Sequence, residues 1–237
     1  MSGMQVGPYQ EFAREKLGFE FENIDHLVTA FTHRSYVNEH RKSVSVHNER
    51  LEFLGDAVLE LVVTDFLYRT YPEEQEGILT SWRASLVRTE SIGDAGQKLG
   101  YEPLVRMSRG EKQGSDRARM QILANAFEAL IGAIYLEKGY AAAATFITAH
   151  ITSKLESILK DGSWRDAKSH LQEVMQRQDG VTPRYVVLDE IGPDHDKMFT
   201  LGVFSGESLV GKGTGPSKQS AQQEAAKAAL KHYTTPS

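Results

Sequence analysis

The stretch "ILANAFEALIGAIYL", residues 122–136, constrains this chain more than any other. It is apolar at nearly every position, and a helix apolar all round must run through the middle of a core. The run is too short to cross a bilayer. Two residues interrupt it, Asn125 and Glu128. Three apart, they share one helical face, one turn from each other. Burying a lone carboxylate is costly unless it is paired or holds a metal. The rest of the chain must therefore surround this helix and supply a partner for Glu128.

Those surroundings read as helical. From about residue 8 to about residue 160, apolar residues recur at three- and four-residue spacing, as in "RLEFLGDAVLELVVTDFLYRTY" and "LTSWRASLVRTESIGDAGQKLG". Stops are expected at Pro72, at 100–103, at 110–115 and at Gly139. No strand is legible there, so an all-α domain is predicted over 8–156. The polar stretch "KDGSWRDAK" reads as a linker, placed at 157–165. Beyond it the period changes. "KSHLQEVMQRQ" is an amphipathic helix, followed by strand-like runs "RYVVLDEIG", "KMFTLGVFS" and "ESLVGKGTG" and a closing helix "KQSAQQEAAKAALKHY". That order predicts a small α+β module, α-β-β-β-α, over 166–235, and a multidomain chain. "GKGTGPSK" lacks P-loop spacing.

Composition narrows the function classes. The chain has no cysteine, which excludes disulfides, thiolate metal sites and cysteine nucleophiles. "MSGMQVGPYQEF" shows no secretory signal, and a cytoplasmic protein without a membrane span is expected. The net charge of −5 hides a division. Residues 165–237 hold nine Lys+Arg against nine Asp+Glu, leaving 18 basic and 23 acidic residues in 1–164. The balanced C-terminal part can present a local basic face, so the net charge does not exclude nucleic acid.

In "NERLEFLGDAVLEL", residues 48–61, Glu49, Glu52 and Asp56 fall within one narrow wedge of a helix. Leu51, Leu54, Val58, Leu61 and Val62 are expected on the opposite side. Gly55 sits mid-helix despite a penalty of about 1 kcal/mol relative to Ala, which points to another backbone close by. A solvated acidic face is the bland account of the wedge. It fits less well beside Asn125 and Glu128, whose helix has no solvated face. If the two helices pack, Glu52, Asp56, Asn125 and Glu128 converge. Oxygen ligands without His or Cys favour Mg²⁺ or Mn²⁺ over Zn²⁺. Spacing alone leaves both a metal site and a buried polar cluster open.

"HNERLEFLGDAVL" resembles the signature of the ribonuclease III family, and "FTHRSYVNE", "EGILTSWRASLV" and "ILANAFEALIGAIYLE" resemble its flanking segments. The resemblance implies a dimeric, Mg²⁺-dependent endonuclease, with Mn²⁺ able to substitute, that hydrolyses double-stranded RNA to 5′-phosphate and 3′-hydroxyl ends. It implies a place in RNA processing, ribosomal and messenger RNA included. By position, Glu52 and Glu128 match the metal-binding carboxylates, Asp56 the catalytic aspartate, and Glu49 and Glu76 accessory acids. Asn125 stands where the family most often has Asp. An amide oxygen still ligates Mg²⁺ but is neutral and accepts less strongly. The amide is either a native neutral ligand or a near-isosteric replacement that stops cleavage. The competing reading is therefore a double-stranded-RNA-binding protein with weakened or no cleavage.

"KSHLQEVMQ", "GPDHDKMF" and "GTGPSKQSAQQEAAKAAL" resemble, in order, the double-stranded-RNA-binding domain. That implies minor-groove contacts from Gln172 and Glu173 and a further contact from His195. It also implies a phosphate contact from Lys218 at the start of the last helix. The family often has a second Lys where this chain has Gln219. His33 is expected to be a structural histidine, and Trp82 and Trp164 packing residues. Phe53 is expected either in the core or across a dimer contact. Arg83 and Arg88 are expected either on the surface or against RNA phosphates.

Overall fold

In the computed structural model, residues 6–162, 164, 166–193 and 197–234 are described. The chain divides between residues 164 and 165 into two compact units. The first is helical: α1 (Gly7–Phe12) runs into a π turn, followed by α2 (Ile24–Ala30), α3 (Arg34–Glu39), α4 (Glu49–Thr70) and α5 (Glu76–Val87). Then come α6 (Thr89–Leu99), α7 (Arg109–Lys112), α8 (Asp116–His150) and α9 (Leu155–Asp161). Among the described residues of this unit the strand content is one isolated bridge, Thr32 to Arg106.

The 122–136 stretch forms the middle of α8, and Phe127, Leu130, Ile131 and Ile134 are fully buried. α4, α6 and α2 pack around it. Ser115 starts α8 by accepting the Ala118 N–H on its hydroxyl at 3.3 Å. Gly139, expected as a stop, instead lies inside α8 with φ 79° and ψ −176°, a break after which the helix resumes. α4 and α8 cross at two glycines. A Cβ on Gly55 would overlap the carbonyl of Glu128, and one on Gly132 would overlap the carbonyl oxygen of Leu51. As α4 advances from 51 to 55 its neighbour runs back from 132 to 128, so the helices are antiparallel. Only a residue without a side chain allows backbones this close.

Two expectations need correction. Leu61 is 57% exposed rather than buried. Leu51, Val58 and Val62 are buried as expected, and the buried face extends from them through Gly55, Leu59 and Val63 to the border of the acidic wedge. Leu61 belongs to an outward apolar stripe with Phe53, 80% exposed, and Tyr68, 73% exposed, which also removes Phe53 from the core of this chain. The stretch placed in the linker begins as helix, because α9 runs to Asp161 with Ile158 buried. Trp164 packs edge-on against the buried Trp82, ring centroids 5.8 Å apart.

The second unit runs α10 (Ala167–Gln178), β1 (Arg184–Ile191), β2 (Met198–Ser205), β3 (Ser208–Gly215) and α11 (Lys218–Thr234), with an antiparallel sheet in the order β1-β2-β3. Leu201 and Val203 pair with Gly213 and Gly211, where a Cβ would meet the backbone of α11 around Ala225 and Ala229. The helix thus lies directly on the sheet. Leu171, Met175, Val203, Ala225, Ala226 and Ala229 close this core. No helix among the described residues is long and apolar enough to cross a membrane.

Candidate functional site

The α4/α8 crossing decides where the acids lie. Glu52 follows Leu51 and Asp56 follows Gly55, the two backbone contact points of α4, while Glu128 supplies a contact point of α8. Glu52 and Glu128 are half-buried and Asp56 is exposed. Burial pushes the Glu128 carboxyl up to about 7, and the charges of Asp56, Glu52 and Glu60 push the same way. Glu52 is raised by burial and by the charges of Glu49 and Asp56. Among the described residues, none of Glu52, Asp56 and Glu128 has an ion-pair partner. Asn125 lies one turn before Glu128, and its Oδ1 accepts from Gln121 Nε2 at 2.7 Å.

The accessory acids differ. Glu49 pairs with Arg34 at 3.4 Å and stands 3.8 Å from His47, at the edge of the cluster. Glu76 heads α5, exposed, with the Thr80 hydroxyl donating to it at 3.0 Å. Its charge is not among those acting on Glu52 or Glu128 within one chain. Glu60 was not anticipated. It is four residues beyond Asp56, in the same wedge, and that spacing was the available signal. Arg83 pairs with it at 3.2 Å and donates to the Thr64 hydroxyl at 3.0 Å. Arg88 is exposed. His33 caps α3, its Nδ1 accepting the Ser35 N–H at 3.3 Å, as a structural histidine does.

On the second unit, Gln172, Glu173 and Lys218 are all exposed. Gln172 lines the same 270 Å³ cleft as Gln219 and Gln223, so α10 and the start of α11 border one groove. Ser217 caps α11 by accepting the Ser220 N–H at 3.1 Å. His195 lies outside the described residues.

Comparison with known proteins decides the family. Residues 23–155 match the model described as Ribonuclease-III-like, and 167–233 match the double-stranded RNA binding motif. A protein named Ribonuclease 3 from Desulforamulus reducens is 43% identical over 92% of this chain and 89% of its own length. The chain belongs to the ribonuclease III family. Another Ribonuclease 3, from Carboxydothermus hydrogenoformans, is 45% identical over 90% of this chain and 91% of its own. Among solved structures, the nuclease domain of ribonuclease III from Campylobacter jejuni superposes with a TM-score of 0.53. It is 37% identical over 59% of this chain and 96% of that one, and that protein is described as flexible in a region involved in dimer formation.

Family membership makes a metal-dependent enzyme, and the donor set at the crossing suits one. Glu52, Asp56, Asn125 and Glu128 can each offer oxygen, and among the described residues no cationic side chain pairs with the three carboxylates. Among the described residues, however, no three His, Asp or Glu side chains already stand in a metal-holding arrangement. A bound cation would offset the mutual repulsion of these carboxylates.

Proposed function

We infer that this ribonuclease III family member is an endoribonuclease that hydrolyses double-stranded RNA in RNA processing, leaving 5′-phosphate and 3′-hydroxyl ends. One observation carries the reading: Glu128, half-buried at the glycine crossing, faces the charges of Glu52 and Asp56 without a counter-cation among the described residues. We assign Mg²⁺, replaceable by Mn²⁺, to Glu52, Asp56, Asn125 and Glu128, because oxygen donors alone favour hard cations. When bound, the metal supplies a hydroxide nucleophile and neutralises the leaving 3′-oxygen. The protein's part is to hold the acids. The crossing fixes the two helices, burial raises the Glu128 carboxyl to about 7 so that a proton and a cation compete for it, and Arg83 pairs with Glu60 at the rim.

The second unit supplies affinity through shape and backbone contacts, with Gln172, Glu173, His195 and Lys218 as the proposed contacts. We further propose a homodimer. α4 presents the apolar stripe Phe53, Leu61 and Tyr68 outward. Tyr68 and Glu76 also line a 490 Å³ cleft between α4 and α5, so the stripe and the accessory acid share one face. Two such subunits would each cut one strand. We propose the cytoplasm as the protein's compartment.

The test is incubation of the full chain with long duplex RNA and Mg²⁺ or Mn²⁺, beside Glu128→Gln and Asn125→Asp. Cleavage by the unmodified chain that vanishes in Glu128→Gln supports the enzyme. Tight binding without cleavage in either metal, rescued by Asn125→Asp, would show a binding protein instead.

A further inference from the structure

A bulge in β1 decides which of its acids meets the last helix. Val187 pairs with Leu201, then the register slips by one residue, and pairing resumes as Asp189 with Thr200 and Glu190 with Phe199. Leu201 is buried on the face covered by α11, so Phe199, two residues away, lies on that face too. Unbroken alternation from Val187 would place Asp189 there. The extra residue, Leu188, places Glu190 there instead. Glu190 Oε1 lies 3.1 Å from Lys218 Nζ, at the first residue of α11, and its Oε2 lies 3.7 Å from Lys197 Nζ. The Lys218 ammonium also stands 5.4 Å from the centre of the Phe199 ring.

We propose that Glu190 occupies Lys218 as an internal substitute for an RNA phosphate, and so sets the affinity and salt dependence of duplex binding. The inference rests on the reading of Lys218 as a phosphate contact. A carboxylate and a phosphodiester oxygen compete for the same ammonium donors. The Lys218 and Glu190 side chains are 58% and 35% exposed, so the pair is solvated and opens at modest cost. Glu190 therefore tunes binding by a few-fold and does not block it. Gln219 adds no second charge at the next position. Because salt also weakens the internal pair, its penalty is largest at low salt.

The experiment measures duplex RNA binding by the full chain in chelator, without cleavage, across a range of NaCl. It compares the unmodified chain with Glu190→Gln, Lys218→Gln and the double variant. Glu190→Gln tightens binding about two- to fivefold at low salt, with a steeper salt slope. In the Lys218→Gln background that gain falls to about half or less, because most of it acts through Lys218. Unchanged or weaker binding in Glu190→Gln, while Lys218→Gln still weakens it, overturns the inference and leaves the Lys218 reading standing. A gain undiminished in the double variant also overturns it, since general charge removal then explains the effect. Unchanged binding in Lys218→Gln overturns the Lys218 reading and the inference with it.

Discussion

In the helical unit, Glu52, Asp56 and Glu128 gather at a crossing of two helices, and among the described residues no cationic side chain pairs with any of them. In the α+β unit, Lys218 lies in the open and is already paired with Glu190 at 3.1 Å. Both units use glycines to bring backbones together, Gly55 and Gly132 in one, Gly211 and Gly213 in the other. The difference lies in what each does with its charge. Acids without an ion-pair partner among the described residues suit a site that a cation would complete, and the cost is carried by the half-buried Glu128 as a raised affinity for protons. An exposed, self-paired lysine exchanges one anion for another at little cost, which suits reversible binding along an RNA backbone.

Breaking the first arrangement has the largest effect. Gly55→Val forces α4 away from the Glu128 carbonyl. It is expected to destabilise the protein by about 1–3 kcal/mol in thermal unfolding. Cleavage is expected to fall by about 100-fold or more, as the acids leave register, with duplex binding in chelator kept within about twofold. Next comes the ligand charge. Asn125→Asp adds an anion, so the Mg²⁺ concentration for half-maximal cleavage falls by about tenfold in a metal titration.

How much of this was legible in the sequence depends on whether a contact is local. Glu49, Glu52 and Asp56 could be grouped because helical spacing alone puts them in one wedge, and Asn125 with Glu128 for the same reason. Gly55 was readable as a close approach because its helix penalty needs a tertiary reason. Glu60 was within reach of the same spacing, but its ion pair was not, because Arg83 comes from α5. Leu61 was misplaced because both sides of α4 are apolar, and which one is buried depends on where α8 lies. The bulge at Leu188 left no mark in the strand-like run "RYVVLDEIG", so the assignment of Glu190 over Asp189 to the helix side came only from the register.

Smaller effects sharpen the contrast. Glu128 binds protons more tightly when folded than its ordinary value of 4.5, so the metal-free folded state holds more protons than the unfolded one between about pH 4.5 and 7. Stability of the metal-free protein therefore falls as pH rises through that window, measured by thermal melts in chelator. Glu128→Gln flattens the fall and raises the melting temperature at pH 7.5 by about 2–4 °C. In the RNA-binding unit, Gln219→Lys adds one exposed cation beside Lys218. It should steepen the slope of log affinity against log salt by about 1, with little change in melting temperature.

The central claim is that Glu128 forms a metal site with Glu52 and Asp56, and proton release on metal binding tests it most directly. Calorimetric titration of Mn²⁺ into the full chain, in buffers of different ionisation enthalpy, counts the protons displaced. With Glu128 near 7, binding at pH 6 should release close to one proton per ion, and binding at pH 8 almost none. Glu128→Gln should abolish the release at pH 6. An equal release from Glu128→Gln, or binding at pH 6 that displaces no proton from the unmodified chain, would contradict the assignment.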